Sequence, residues 1–63
     1  MNLLQYNNKK VSLTDVEGKV WSGMAHYCDA ESYDEDEDML DIKVGNEYIV
    51  FSESEIYSVE ILN

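Results

Sequence analysis

Arginine is absent from this sequence, and with it the planar fork that grips phosphates and base edges bidentately. Four lysines stand against fourteen acids, for a net charge of −10. A nucleic-acid binder needs cations to displace phosphate counterions, so the composition disfavours nucleic acid as a partner. Cysteine occurs once, at Cys28, which excludes an internal disulfide and fits a reducing, cytoplasmic compartment. Histidine also occurs once, at His26. There is no zinc-ligand set, and neither a metal nor a cofactor is expected. No apolar run is long enough to span a bilayer, and the start Met-Asn-Leu-Leu-Gln lacks the basic and apolar regions of a signal peptide, so no membrane partner is expected. Proline is missing altogether, and the three glycines, Gly18, Gly23 and Gly45, act as punctuation.

What is there is short, acidic and rich in strand formers. Sixty-three residues make one domain, 1–63, with no linker and no internal repeat. A chain of this size buries only about 60% of the surface it exposes when unfolded, which leaves a thin stability margin. Small domains add disulfides, a metal or a partner chain as a staple. With the first two excluded, oligomerisation remains, and a homo-oligomer is expected. The charge is unevenly placed. Residues 1–28 hold three lysines and two acids, whereas residues 29–63 hold one lysine and twelve acids. A charged partner is therefore expected to be a basic protein.

Along the chain, residues 2–7 suit one short helical turn with Leu3, Leu4 and Tyr6 laid against the body of the protein. Val11-Ser-Leu-Thr alternates like a half-buried strand, and Asp15-Val-Glu-Gly18 is a turn signal. From Lys19 to Cys28, Trp21, Gly23, Ala25 and Tyr27 share one face, and Gly23 in mid-strand predicts a sharp bend or a close backbone approach. Asp29 to Asp38 reads as a loop. Met39-Leu-Asp-Ile-Lys-Val44 alternates again, with Leu40, Ile42 and Val44 inward. Gly45-Asn46 joins it to Glu47-Tyr-Ile-Val-Phe51 as a tight hairpin. Ser52-Glu-Ser-Glu55 is a polar turn of 3₁₀ character, and Ile56 to Leu62 is the last strand. The fold class is all-β: a small, strongly bent, five-stranded antiparallel barrel with a short N-terminal helical turn. Its predicted core is Val11, Leu13, Trp21, Ala25, Leu40, Ile42, Val44, Ile49, Phe51, Ile56, Val59 and Ile61. The fourth strand is apolar on both faces, because Tyr48 and Val50 point opposite to Ile49 and Phe51. Such a strand wants cover on both sides, from the N-terminal turn or from a second subunit.

Two stretches resemble the Sm-like (LSm) branch of the SH3-like barrels. The first is Val11-Ser-Leu13-Thr-Asp15-Val-Glu-Gly18 followed by Trp21-Ser-Gly23, which is similar to the family's apolar-x-Leu-x-Asp/Asn-x-x-Gly motif with its second glycine. The other is Ile49-Val-Phe51-Ser-Glu-Ser-Glu-Ile56-Tyr-Ser-Val59, similar to the family's second motif. The likeness spans residues 11 to 61 and implies the barrel fold and ring assembly by strand pairing. The sequence departs from the family where RNA would be held. Ser52 and Glu53 replace an Arg-Gly pair, and Met39 is followed by Leu40 rather than asparagine. The residues that stack and hydrogen-bond a nucleotide therefore do not carry over.

Other constellations resolve to structure rather than chemistry. Asp34, Asp36 and Asp38 have the alternate spacing of a calcium loop's start, but its sixth and twelfth positions fall on Met39 and Gly45 instead of glycine and glutamate, which favours a solvated hairpin loop over weak, exposed divalent binding. His26 and Cys28 share a strand face without an orienting third group or an oxyanion site, so no catalytic residue is assigned and an enzyme is not expected. The candidate partner-binding residues are Tyr27, Tyr33, Tyr48 and Tyr57 with Asp34 and Asp36, because tyrosines flanked by acids suit a basic or proline-rich protein segment. The expected function is a non-enzymatic acidic interaction module that self-associates or binds a protein partner. Two alternatives stand beside it: a divergent Sm-like nucleic-acid-binding protein, and an acidic inhibitor of the immunity or anti-restriction type that occupies a basic protein.

Overall fold

Alternation of apolar and polar residues is carried into five antiparallel strands in a computed structural model, which describes residues 1–62. They are β1 (Lys10–Asp15), β2 (Val20–Cys28), β3 (Met39–Val44), β4 (Glu47–Ser52) and β5 (Ile56–Ile61). A 3₁₀ turn at Leu3–Tyr6 precedes them, and a second at Glu53–Glu55 links β4 to β5. The strand order is β4-β3-β2-β1-β5, a strongly bent sheet wrapped into a small barrel with β4 and β5 at its margins. Its Cα radius of gyration, 10.6 Å, is that of one packed domain of this length. Among the described residues no helix is long and apolar enough to cross a membrane.

The bend lies in β2. Its first half pairs only with β1, from Thr14↔Val20 to Lys10↔Met24, and its second half pairs with β3, from Met24↔Lys43 to Cys28↔Met39. Gly23 sits at the handover. A Cβ built there would land on the Lys43 carbonyl oxygen, with the carbonyl carbon at 2.9 Å. Only a residue without a side chain lets the two backbones approach this closely. The N-terminal segment then continues the ladder along β2. Asn8 N donates to Ala25 O, Ala25 N donates to Lys9 O, and the Asn7 carboxamide oxygen accepts from Tyr27 N at 2.8 Å.

Asp15 organises the β1–β2 turn. Its Oδ1 accepts from the amides of Glu17 and Lys19, and its Oδ2 accepts from Trp21 Nε1 at 3.0 Å. The Trp21 donor bond, ahead of the backbone ones, holds the Asp15 carboxyl below its ordinary 3.8. The β3–β4 hairpin turns on Gly45, at φ 62°, with pairing resumed at Val44↔Glu47.

The core comprises Leu3, Val11, Leu13, Ala25, Leu40, Ile42, Phe51 and Ile56, with Tyr6, Trp21, Tyr27, Val44, Ile49 and Val59 packed around it. Three placements differ from the sequence reading. Leu3 is fully buried while Leu4 is exposed, so the N-terminal turn plugs the barrel with one leucine instead of two. Ile61 is 40% exposed, since it occupies the last rung of an edge strand with a neighbour on one side only. Met39 points away from the barrel interior yet is buried, at the end of the sheet where loop 29–38 folds back.

Candidate interaction surface

The pairing registers define what the outer face of the sheet presents. One row runs Tyr48–Lys43–Met24–Lys10 across β4, β3, β2 and β1. The next runs Val50–Asp41–His26 across β4, β3 and β2. Tyr48 (58%), Val50 (54%) and Met24 (42%) are strongly exposed, and Lys10 and Lys43 are exposed beside them. The Lys43 ammonium lies over the Tyr48 ring, 5.8 Å from its centroid, and the His26 ring sits 6.5 Å from the same tyrosine. No lysine pairs with a side-chain carboxylate among the described residues. The result is an apolar patch edged by two lysines, with one half-buried carboxylate, Asp41, set within it, in a protein whose total charge is strongly negative. The N-terminal turn does not cover it. That turn packs against β2 and sends Leu3 into the core, leaving the outer side of β4 open.

Within this patch, Asp41 Oδ1 is buried without a hydrogen-bond partner among the described residues and lies 3.7 Å from His26 Nδ1. Cys28 stands two residues further along β2. Burial, helped by the Asp41 charge, pushes its thiol above its ordinary 9.0, which keeps it protonated and weakly nucleophilic. This is the reverse of what a cysteine nucleophile needs.

The acids collect at the Cys28–Met39 end of the sheet, where the loop is held rather than loose. Ala30 N donates to Asp38 Oδ1, Glu53 N donates to Asp38 O, and Ser54 donates through both its amide and its hydroxyl to the Glu37 carboxylate. Asp29 accepts from Ser32, whose hydroxyl chiefly holds the Asp29 carboxyl below 3.8. Glu31, Asp34, Glu35 and Asp36 project into solvent around exposed Tyr33. Asp34 adopts φ 54°, a left-handed conformation that aspartate tolerates.

The six candidate residues thus fall into four places. Tyr48 is on the open outer face. Tyr33, Asp34 and Asp36 form the crest of the acidic loop. Tyr57 is bulged out of β5 at the opposite margin, where Thr14↔Ser58 is followed by Asp15↔Ile56, and it is 74% exposed. Tyr27 faces inward, packed against the core, with burial and then the Asp38 carboxylate raising its phenol above 10.0. Tyr48 and Tyr57 therefore do not share a face. Met24, Lys10 and Lys43 were absent from the sequence-derived set, because only the cross-strand register aligns them with Tyr48. Among the described residues no cavity opens, and no group of three metal-ligating side chains comes together. No family model matches the chain, and neither does any curated protein or solved structure.

Proposed function

We propose that the chain is a non-enzymatic interaction module, a divergent Sm-like barrel that self-associates or binds a protein partner through its β4 margin. One observation carries this reading: Tyr48 and Val50 stand exposed on a strand that has a hydrogen-bonded neighbour on one side only. An edge strand offers unpaired backbone groups, and an aromatic and a β-branched residue beside them supply apolar contact area. The bent second strand and the N-terminal turn support the Sm-like resemblance, and the Ser52-Glu53 sequence argues for protein rather than RNA as what it binds.

Static light scattering over a concentration series tests this. The wild-type mass is expected to rise above the 7.3 kDa of one chain. The double variant Tyr48→Ser/Val50→Ser should stay at that mass with its melting temperature little changed. A wild-type mass fixed at one chain would remove self-association, and a variant that assembles normally would remove the β4 margin.

The second reading, an acidic inhibitor, draws support from the solvent-facing Glu31, Asp34, Glu35 and Asp36. It predicts a monomer that binds a basic protein tightly at low salt and releases it at high salt. Equal binding at both salt concentrations would exclude it.

A further inference from the structure

Building on the reading above, we infer that the module assembles head to tail, with the acidic loop of one copy seated on the Lys10–Met24–Lys43–Tyr48 face of the next. The inference names the occupant of the open face, and charge complementarity selects it. The face offers two exposed lysines that pair with no side-chain carboxylate among the described residues, with Met24, Tyr48 and Val50 as apolar area and a single half-buried carboxylate, Asp41, between Val50 and His26. A fitting ligand is an acidic segment carrying an aromatic ring. The chain displays one such segment itself: Tyr33-Asp34-Glu35-Asp36, exposed at all four residues. Both surfaces are pre-formed. The loop is fastened through Asp29, Glu37 and Asp38, while its exposed acids form no ion pair among the described residues, so little ordering is needed on contact.

The net charge of −10 opposes any meeting of two copies, and distance decides how strongly. The face of a copy and its own acidic loop lie at different positions along β2, centred on Met24 and beyond Cys28. Four strand residues separate them by roughly 13 Å. At physiological ionic strength the Debye length is about 8 Å, so loop-to-loop repulsion between neighbours is damped, whereas lysine–carboxylate pairs at the contact are not. Where the loop of each copy reaches only the face of the next, the contact is heterologous and repeats from copy to copy, closing into a ring or running on as a filament according to the rotation between neighbours.

Complementation by neutral variants tests this. Lys10→Gln/Lys43→Gln disables the face and leaves the loop intact. Asp34→Asn/Glu35→Gln/Asp36→Asn disables the loop and leaves the face intact, with asparagine tolerating the left-handed backbone at position 34. Melting curves establish that both variants fold. The expected result is that wild type assembles, each variant alone stays at the mass of one chain under the same conditions, and an equimolar mixture gives a species of twice the 7.3 kDa chain mass that grows no further. Three results would overturn the inference. Variants that assemble like wild type would place the contact elsewhere, leaving the β4 margin to be judged by Tyr48→Ser/Val50→Ser. Variants that stay single when mixed would exclude a head-to-tail contact. A wild type that never exceeds one chain would leave only a foreign partner for the β4 margin.

Discussion

Replacing Gly23 by alanine adds one methyl group at the point where β3 crosses the bend of β2. That methyl would overlap the Lys43 carbonyl oxygen, lie 2.9 Å from its carbon and lie 3.3 Å from Ile42 Cγ2. The first two obstacles are backbone atoms, so no rotamer change relieves them and the strands have to part. Overpacking of this kind costs about 1–3 kcal/mol. Loss of neighbouring ladder hydrogen bonds, such as those near Met24↔Lys43, adds about 1 kcal/mol each. Against this, alanine restricts the unfolded chain and returns about 0.4–1 kcal/mol. The net loss comes to about 2–4 kcal/mol. A domain of this length has only about 3–9 kcal/mol in total. Since 1 kcal/mol moves the midpoint of so small a domain by about 4–8 °C, a fall of about 8–32 °C is expected by circular dichroism or calorimetry. Gly18→Ala is the matched control, because Gly18 has φ 88° and nothing within 4 Å of its Cβ direction. It should lose only the left-handed backbone penalty, about 1–2 kcal/mol. If Gly23→Ala melts within about 2 °C of wild type, the close approach of β3 to the bend is wrong.

Leu3→Ala empties the only fully buried position in the N-terminal turn and should cost about 2–5 kcal/mol in chemical denaturation; a change below about 1 kcal/mol would mean that the turn is not docked. Acidification separates two groups of carboxyls. Asp15 and Asp29 are held below 3.8, so the stability they contribute is complete above that value and is lost as the pH falls through their lowered folded values. Between pH 7 and about pH 5 that loss has not begun, while proton uptake relieves a chain carrying fourteen acids against four lysines, and the melting temperature should rise or hold. A steep loss by about pH 5 would contradict this. Cys28, its thiol pushed above 9.0, should react with iodoacetamide several-fold more slowly than a free thiol at neutral pH, and equal rates would show that it is not shielded.

Strand alternation and turn residues carried most of the fold. The Val11–Leu13, Leu40–Ile42–Val44 and Ile49–Phe51 rows face inward as their period of two requires, and Gly23, Gly18 and Gly45 sit where the chain bends or turns. Two things were not legible. Single-residue choices at the ends of elements, such as Leu3 inward and Leu4 outward, depend on how a 3₁₀ turn docks, and no periodicity fixes that over four residues. The surface was hidden for a different reason. Tyr48 and Val50 were visible as misplaced apolar residues on β4, but Lys43, Met24 and Lys10 come from three other strands. Pairing register alone brings them into line, and register is a long-range property. Tyrosines similar in sequence context were separated by the same geometry: Tyr27 inward, Tyr57 on a bulge, Tyr48 on the open face.

The most direct test is a dilution series followed residue by residue by amide ¹H–¹⁵N NMR. Concentration-dependent shifts are predicted in two groups, Met24, Lys43 and Glu47–Ser52 on the face and Tyr33–Asp36 on the loop, while the Asp15–Gly18 turn and Tyr57 stay unchanged. Shifts confined to β5 and Tyr57, or a spectrum indifferent to concentration, would contradict the proposal that the barrel associates through its β4 face.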